Sequence, residues 1–429
     1  METKRTMSDD WKAYVSDTRT ICKYGAKCYQ KNPEHHKTYK HPPNLKAKNT
    51  PAKKRFTPYN TNRKPDERNT AATTENIESS ERWDCKESTQ HLKNSTLDIN
   101  EDSLLSIVEV DGDTTLYGNE TDNRIFKECF LVEMPNDFFK FYECLCKESS
   151  SVESLMASVN LELVGPFDLV SGKLPKLEDT KLYLSHWRFF YDPPEFQTVL
   201  KKRGNSEVHI GYYRDDPNST PAFLAVNDSS KDHQITPIAE NIFGAVYWFL
   251  QNEKNSSPFM SMVCQKLSDK VKKWAEENNY SVQEFDKKKR LQQIVCKTFH
   301  GAGIVVPYNK KTQLGYRKLV ESDSNLKKLF KKLAEATSDS EKDKILSDLQ
   351  PVITYSSIAM DECDFGTGLE AGIALFCSGL KELHSSVLSL LTSAYSLLQR
   401  EEFGKIIESH LKYRRKGTNM ATWKEKKCF

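Results

Sequence analysis

Cys22 and Cys28 are followed by His35 and His41, with five, six and five residues in the intervals. Two thiolates and two imidazoles so close together supply the four donors of a closed, tetrahedral structural zinc site. The intervals exclude the common DNA-reading finger, which leaves about twelve residues between its second cysteine and first histidine. Six residues hold no recognition helix. The segment is expected to be a small, loop-rich knot in which the metal replaces a hydrophobic core, so that metal binding and folding share one free energy.

A second cluster, Asp361-Glu362-Cys363-Asp364, could do proton chemistry. Three carboxylates in four residues repel one another, a setting that can give one of them the proton affinity a general base needs. A helix is expected directly afterwards, with Thr367 and Glu370 as its capping box. A helix N-terminus works in the opposite sense, by favouring carboxylate anions. From these residues alone, catalysis and plain capping both stay open. Nucleotide chemistry of the familiar kinds finds no support, since Gly301-Ala-Gly303 is followed by Ile-Val-Val rather than by a third glycine, and no P-loop occurs.

The elements that must position these groups sit in a chain of uneven texture. The 429 residues allow roughly two or three domains, and 37% hydrophobic residues is low for a chain folded throughout. Removing the two zinc ligands from eleven cysteines leaves nine at irregular positions, behind a charged start with no apolar run. That pattern predicts free thiols in a reducing compartment. No apolar run approaches the roughly eighteen residues of a membrane span, so no membrane partner is expected. The net charge of +3, from 63 basic and 60 acidic residues, conceals basic clusters at 37–64 and at Lys412, Arg414, Arg415, Lys416, Lys424, Lys426 and Lys427. Such clusters read as nuclear localisation or polyanion contact, or as a solvated terminus.

Residues 43 to about 100 carry few large apolar side chains and cannot offset chain entropy by burial. Helical periodicity begins near Pro135, with Phe138, Phe141, Tyr142 and Leu145 on one face. Between Leu161 and Val226, short runs such as Leu182-Tyr-Leu, Trp187-Arg-Phe-Phe-Tyr191, Val208-His-Ile-Gly-Tyr-Tyr213 and Ala222-Phe-Leu-Ala-Val226 predict an antiparallel meander. After Pro258 the pattern is mostly helical, apart from an extended stretch at Gly303-Ile-Val-Val-Pro307. Long helices are expected over about 367–383, with Leu369, Ile373, Phe376, Leu380 and Leu383 buried, and over about 386–413. The expectation is therefore an α+β protein: a zinc-knotted finger (18–43), a disordered basic and polar linker (44–120), an α+β subdomain bearing an antiparallel sheet (121–255), a mostly helical subdomain carrying the acidic cluster (256–413) and a basic tail (414–429).

Two resemblances sharpen this reading. Cys22, Tyr24, Gly25, Cys28, Tyr29, Asn32, Pro33, His35, His41 and Pro42 match the poly(ADP-ribose)-binding zinc finger family. That resemblance implies one structural zinc on Cys22, Cys28, His35 and His41, with Tyr24 and Tyr29 lining an adenine site by stacking. Gln30 stands where the family typically has an arginine phosphate clamp, and Lys27 and Lys31 offer charge only as point cations.

The segments Leu163-Val-Gly-Pro-Phe-Asp168, His186-Trp-Arg-Phe-Phe-Tyr-Asp-Pro-Pro-Glu-Phe-Gln-Thr198, Gly211-Tyr-Tyr-Arg-Asp-Asp-Pro217, Lys297-Thr-Phe-His-Gly-Ala-Gly303, Gly315-Tyr-Arg317 and Asp361-Glu-Cys-Asp-Phe-Gly-Thr-Gly-Leu-Glu-Ala-Gly372 resemble the histone PARylation factor family over roughly 125–411. The resemblance implies a nuclear accessory subunit that docks on the catalytic domain of DNA-damage-responsive poly(ADP-ribose) polymerases and directs ADP-ribosylation to serine on histones. NAD is then held by the polymerase, and Glu362 is the general base. Tyr316, Arg317, Asp361 and Asp364 match the docking and site-shaping positions, and Ile358 stands where the vertebrate form carries an aromatic. Specific DNA binding is not expected. Two other functions remain in view: a reader or adaptor that binds poly(ADP-ribose) through the finger, and an independent hydrolase using Glu362 with Asp361 or Asp364. The second is disfavoured because adjacent acids in one loop do not flank a bond as paired glycosidase carboxylates must.

Overall fold

The computed structural model describes residues 16–21, 33–41, 107–110 and 114–425. The chain divides into two compact units, Met1–Thr89 and Gln90–Phe429. In the first, strand β1 (Thr20–Ile21) pairs in parallel with β2 (Tyr39–Lys40), which directly follows helix α1 (Pro33–Thr38). Arg19 ties the two ends together, binding Asp17 through its guanidinium and donating to the His36 carbonyl at 2.5 Å.

The second unit is α+β, as expected. Strand β3 (Val108–Val110) pairs in parallel with the last strand, β9 (Trp423–Glu425). Helices α2 (Asn123–Phe130), α3 (Asn136–Glu148) and α4 (Val152–Ala157) follow. In α3 the buried face carries Phe138, Phe141 and Leu145, the side that the 3.6-residue periodicity selects. Strand β4 (Leu161–Leu163) leads through two short helices, α5 (Pro166–Val170) and α6 (Lys181–Ser185), to β5 (Phe196–Lys202), β6 (Val208–Tyr213), β7 (Phe223–Asp228) and β8 (Thr236–Ala239). The five strands form one antiparallel meander in the order β4-β5-β6-β7-β8. Helices α7 (Ile242–Glu253) and α8 (Pro258–Glu277) add Phe243, Val246 and Val271 to the core that Leu200, Ile210 and Leu224 of the sheet share with α3.

The second half continues through α9 (Lys287–Gln293), α10 (Asp323–Glu335), α11 (Asp339–Asp361), α12 (Phe365–Ser378), α13 (His384–Leu397) and α14 (Glu401–Tyr413). A separate core that includes Leu369, Ile373, Phe376, Leu391, Phe403 and Ile407 holds α10 to α14, whereas α9 is tied through Arg290 to Asp215. Among the described residues no helix is long and apolar enough to cross a membrane.

Several local expectations are corrected. Leu182-Tyr-Leu is not a strand but the single turn α6, its three side chains all buried; a short apolar run carries no period that separates the two states. Trp187 to Tyr191 is a turn, pinned because the Asp192 carboxylate accepts from the Phe189 N–H at 2.9 Å and from Thr198 Oγ1 at 2.8 Å, and pairs with His209 at 2.7 Å. The extended stretch near Gly303 reduces to a bridge between Cys296 and Ile304. The helix expected over 386–413 is two helices, broken where Gln399 takes a positive φ of 59°. Residues 108–110, read as linker, form β3. Arg414 and Arg415 are not a solvated tail: Arg414 lies between the rings of Phe190 and Phe376, at 4.0 and 4.1 Å, and donates to both of their carbonyls. A planar guanidinium suits such a slot, and burial pulls its pKa down to about 9.

Candidate functional site

The acidic cluster lies between two helices. At the end of α11 the Cys363 N–H donates to the Met360 carbonyl at 3.0 Å and the Asp364 N–H to the Ala359 carbonyl at 2.8 Å. This is the paired closure of a Schellman motif, whose C′ residue must be left-handed. Cys363 fills that position at φ 72° without being glycine. Glu362 is thereby the C-cap of α11, at the negative end of the helix dipole, and Asp364 is the N-cap residue of α12. The expected single N-terminal setting for all three acids is therefore incorrect. The patch at Asp361 and Glu362 attracts positive charge.

Arg317 answers it. Its Nη2 donates to Glu362 Oε2 and its Nε to Asp364 Oδ2, both at 2.5 Å. Asp364 is nearly buried, with 8% of its side chain exposed, whereas Glu362 keeps 56%. Burial disfavours the Arg317 charge, but the bonds to Glu362 and Asp364 outweigh it and the pKa is raised. The Tyr355 ring lies 5.9 Å from the Arg317 guanidinium carbon. Among the described residues nothing bonds Glu362 Oε1, and Asp361 is exposed. Ile358, whose carbonyl accepts from the Glu362 N–H, puts a half-exposed apolar side chain one turn away.

The segment 315–317 is held to the first turns of α12. Gly315 N–H donates to Asp364 Oδ1 at 2.8 Å, Gly366 N–H donates to the Gly315 carbonyl at 3.0 Å, and Thr367 Oγ1 accepts from the Arg317 N–H at 2.9 Å and donates to its carbonyl at 2.7 Å. Gly315 is required here: its φ is 110°, and a Cβ would stand 2.0 Å from the Pro307 carbonyl oxygen.

Thr367 therefore does not cap the helix, and Glu370 does not close a box with it. Glu370 instead turns inward against Tyr316 and Cys296, where burial pushes its pKa up to about 7 despite those two partners. Tyr316 is drawn down to this pair, away from the carboxylates that Arg317 binds; burial first, and then Cys296 and Glu370, raise its phenol pKa. The structure brings the candidates Arg317, Glu362 and Asp364 into direct contact; sequence reasoning missed the supporting roles of Thr367 and Glu370, for which the Ser/Thr-x-x-Glu pattern was the only signal.

In the finger, His35 comes from α1 and His41 follows β2, and their Nε2 atoms lie 3.3 Å apart. Two nitrogen donors at about 2.0–2.1 Å from a tetrahedral zinc are separated by about that distance, so the pair fits the metal. Cys22, Cys28, Tyr24, Tyr29 and Gln30 fall outside the described residues.

The profile of the Histone PARylation factor 1 family matches residues 121–414, and that of the PBZ domain, a zinc finger, matches residues 19–44. Histone PARylation factor 1 of Danio rerio is 40% identical over 306 residues, covering 70% of this chain and 87% of that protein. Histone PARylation factor 1 of Bos taurus is 37% identical over 295 residues, or 66% of this chain and 84% of that one. Putative histone PARylation factor 1-like of Homo sapiens is 36% identical over 296 residues, or 67% and 85%.

Proposed function

This chain belongs to the Histone PARylation factor 1 family, with a PBZ-type zinc finger ahead of the family body, and on that premise we propose that it is an accessory subunit which completes the active site of a poly(ADP-ribose) polymerase. The polymerase binds NAD. This protein docks with Arg317 and Asp361 at its surface, Tyr316 and Asp364 shape the site from beneath, and Glu362 is contributed to the shared centre.

A serine hydroxyl is a weak nucleophile until a positioned base accepts its proton. Glu362 takes that proton as the serine oxygen attacks the ribose anomeric carbon and nicotinamide departs with the electron pair of the broken bond. General-base assistance of this kind contributes about 10²- to 10⁴-fold. Carboxylate side chains as acceptors need no such help, so the product shifts to serine linkages on histones, in the nucleus.

The observation that supports this most directly is the exposed Glu362, anchored by one oxygen on Arg317 with its other oxygen unengaged. The test combines a polymerase catalytic domain, NAD and a histone peptide whose only acceptor is serine. Hydroxylamine-resistant modification is expected with this chain and absent with Glu362→Ala. Equal modification by both proteins would leave the adaptor reading, in which the finger binds poly(ADP-ribose) and the body is scaffold. The PBZ match favours polymer binding as a second activity in either case.

A further inference from the structure

The Arg317 guanidinium meets carboxylates only along its edge, with Nε on Asp364 and Nη2 on Glu362, while Nη1 bonds no described residue. Two edge bonds to separate acids leave the plane of the group free to tilt. They also hold weakly where water competes, and more than half of the Glu362 side chain is in solvent. Something else must fix the plane if Arg317 is to hold Glu362 in one direction.

Tyr355 lies where such a group is needed. Its half-buried ring is centred 5.9 Å from the guanidinium carbon, within the roughly 6 Å over which a ring face attracts a cation. Its hydroxyl reaches the backbone of the same arm and donates to the Lys318 carbonyl at 3.3 Å, an oxygen that no other described group bonds. Tyr355 stands seven residues before Glu362, the C-cap of α11. Seven residues make almost two turns, so the two side chains share one stripe of the helix about 10 Å apart along its axis. Arg317 touches both and therefore lies along the end of α11, where the helix dipole favours a cation.

We propose that Tyr355 is a positioning residue: by covering one face of Arg317 and bonding the carbonyl that follows it in the arm, it sets the plane in which Nη2 meets Glu362, and so the direction of the free oxygen of Glu362. This role rests on the reading of Glu362 as the base. Phenylalanine in its place keeps the face and loses the carbonyl bond, whereas leucine loses both.

The test has two arms, each on the full chain. In protein isotope-labelled at arginine alone, the Arg317 Nε–H signal is assigned by its loss in Arg317→Lys. Its exchange with water is expected to be about threefold to tenfold faster in Tyr355→Leu than in wild type, with Tyr355→Phe in between. In single-turnover serine modification with a saturated polymerase catalytic domain, Tyr355→Leu is expected to lower the rate by a similar factor and Tyr355→Phe to restore most of it. If the leucine variant does not melt cooperatively, Tyr355→Met, which keeps bulk without a ring, replaces it. A lowered rate with unchanged Arg317 exchange, or no recovery by phenylalanine, would make Tyr355 ordinary packing and overturn the proposal. Loss of modification with Glu362→Ala but none with Tyr355→Leu would overturn the positioning role alone. Full modification with Glu362→Ala would overturn the reading of Glu362 and this role with it.

Discussion

Glu362 faces outward because the chain turns left-handed at Cys363 instead of extending α11. A side chain with a Cβ in that region costs about 1–2 kcal/mol, so Cys363→Gly should be tolerated, changing stability by under about 1 kcal/mol, while the β-branched Cys363→Val should lose roughly 1–3 kcal/mol in urea denaturation. Beneath the cluster, Glu370 makes the opposite kind of claim. Its pKa is raised from 4.5 to about 7 when folded, so the folded state holds its proton more tightly; the stability this provides is complete below about pH 4.5 and lost as pH rises through 7. Glu370→Gln should therefore exceed the wild type by roughly 1–3 kcal/mol at pH 8 and match it near pH 4.5; an equal difference at both pH values would contradict this. The residues alone displayed Glu362 and Asp364 as an acidic cluster, and Arg317 entered only through the family resemblance, while Thr367 and Glu370 were assigned the wrong work because a capping box and a pair of inward contacts share one spacing.

At the scale of elements, the site is a three-residue arm fastened to the start of α12. Thr367 bonds both backbone groups of Arg317 from a fully buried position. Thr367→Val preserves volume but strands those groups, which costs about 1–3 kcal/mol. It should also weaken polymerase docking with little change in NAD affinity, as measured by calorimetry; undiminished docking would show that the arm does not position Arg317. Periodicity exposed α3 because its aromatic face is narrow and regular. It missed β5, whose residues from Phe196 to Lys201 are buried without alternation, and the break between α13 and α14, where Gln399 adopts the positive φ that glycine or asparagine usually announces.

At the scale of the molecule, finger and body answer to different forces. The finger's ligand set makes its fold conditional on metal, whereas the body has three hydrophobic clusters of its own among the described residues. Chelation, or Cys28→Ala, should abolish poly(ADP-ribose) binding and leave the cooperative melting of the body and its serine-directing activity intact. The basic C-terminal residues were legible as charge, but not as the Phe190–Arg414–Phe376 stack, which depends on partners more than thirty residues away in sequence. What the whole arrangement is proposed to deliver is one carboxylate to a neighbouring catalytic centre, and the most direct measurement is a single-turnover rate of serine ADP-ribosylation with the polymerase saturated by wild type or by Glu362→Gln. The account predicts a fall of about 10²- to 10⁴-fold at saturation, with the concentration needed for docking little changed; a rate within about twofold of wild type at saturation would contradict it.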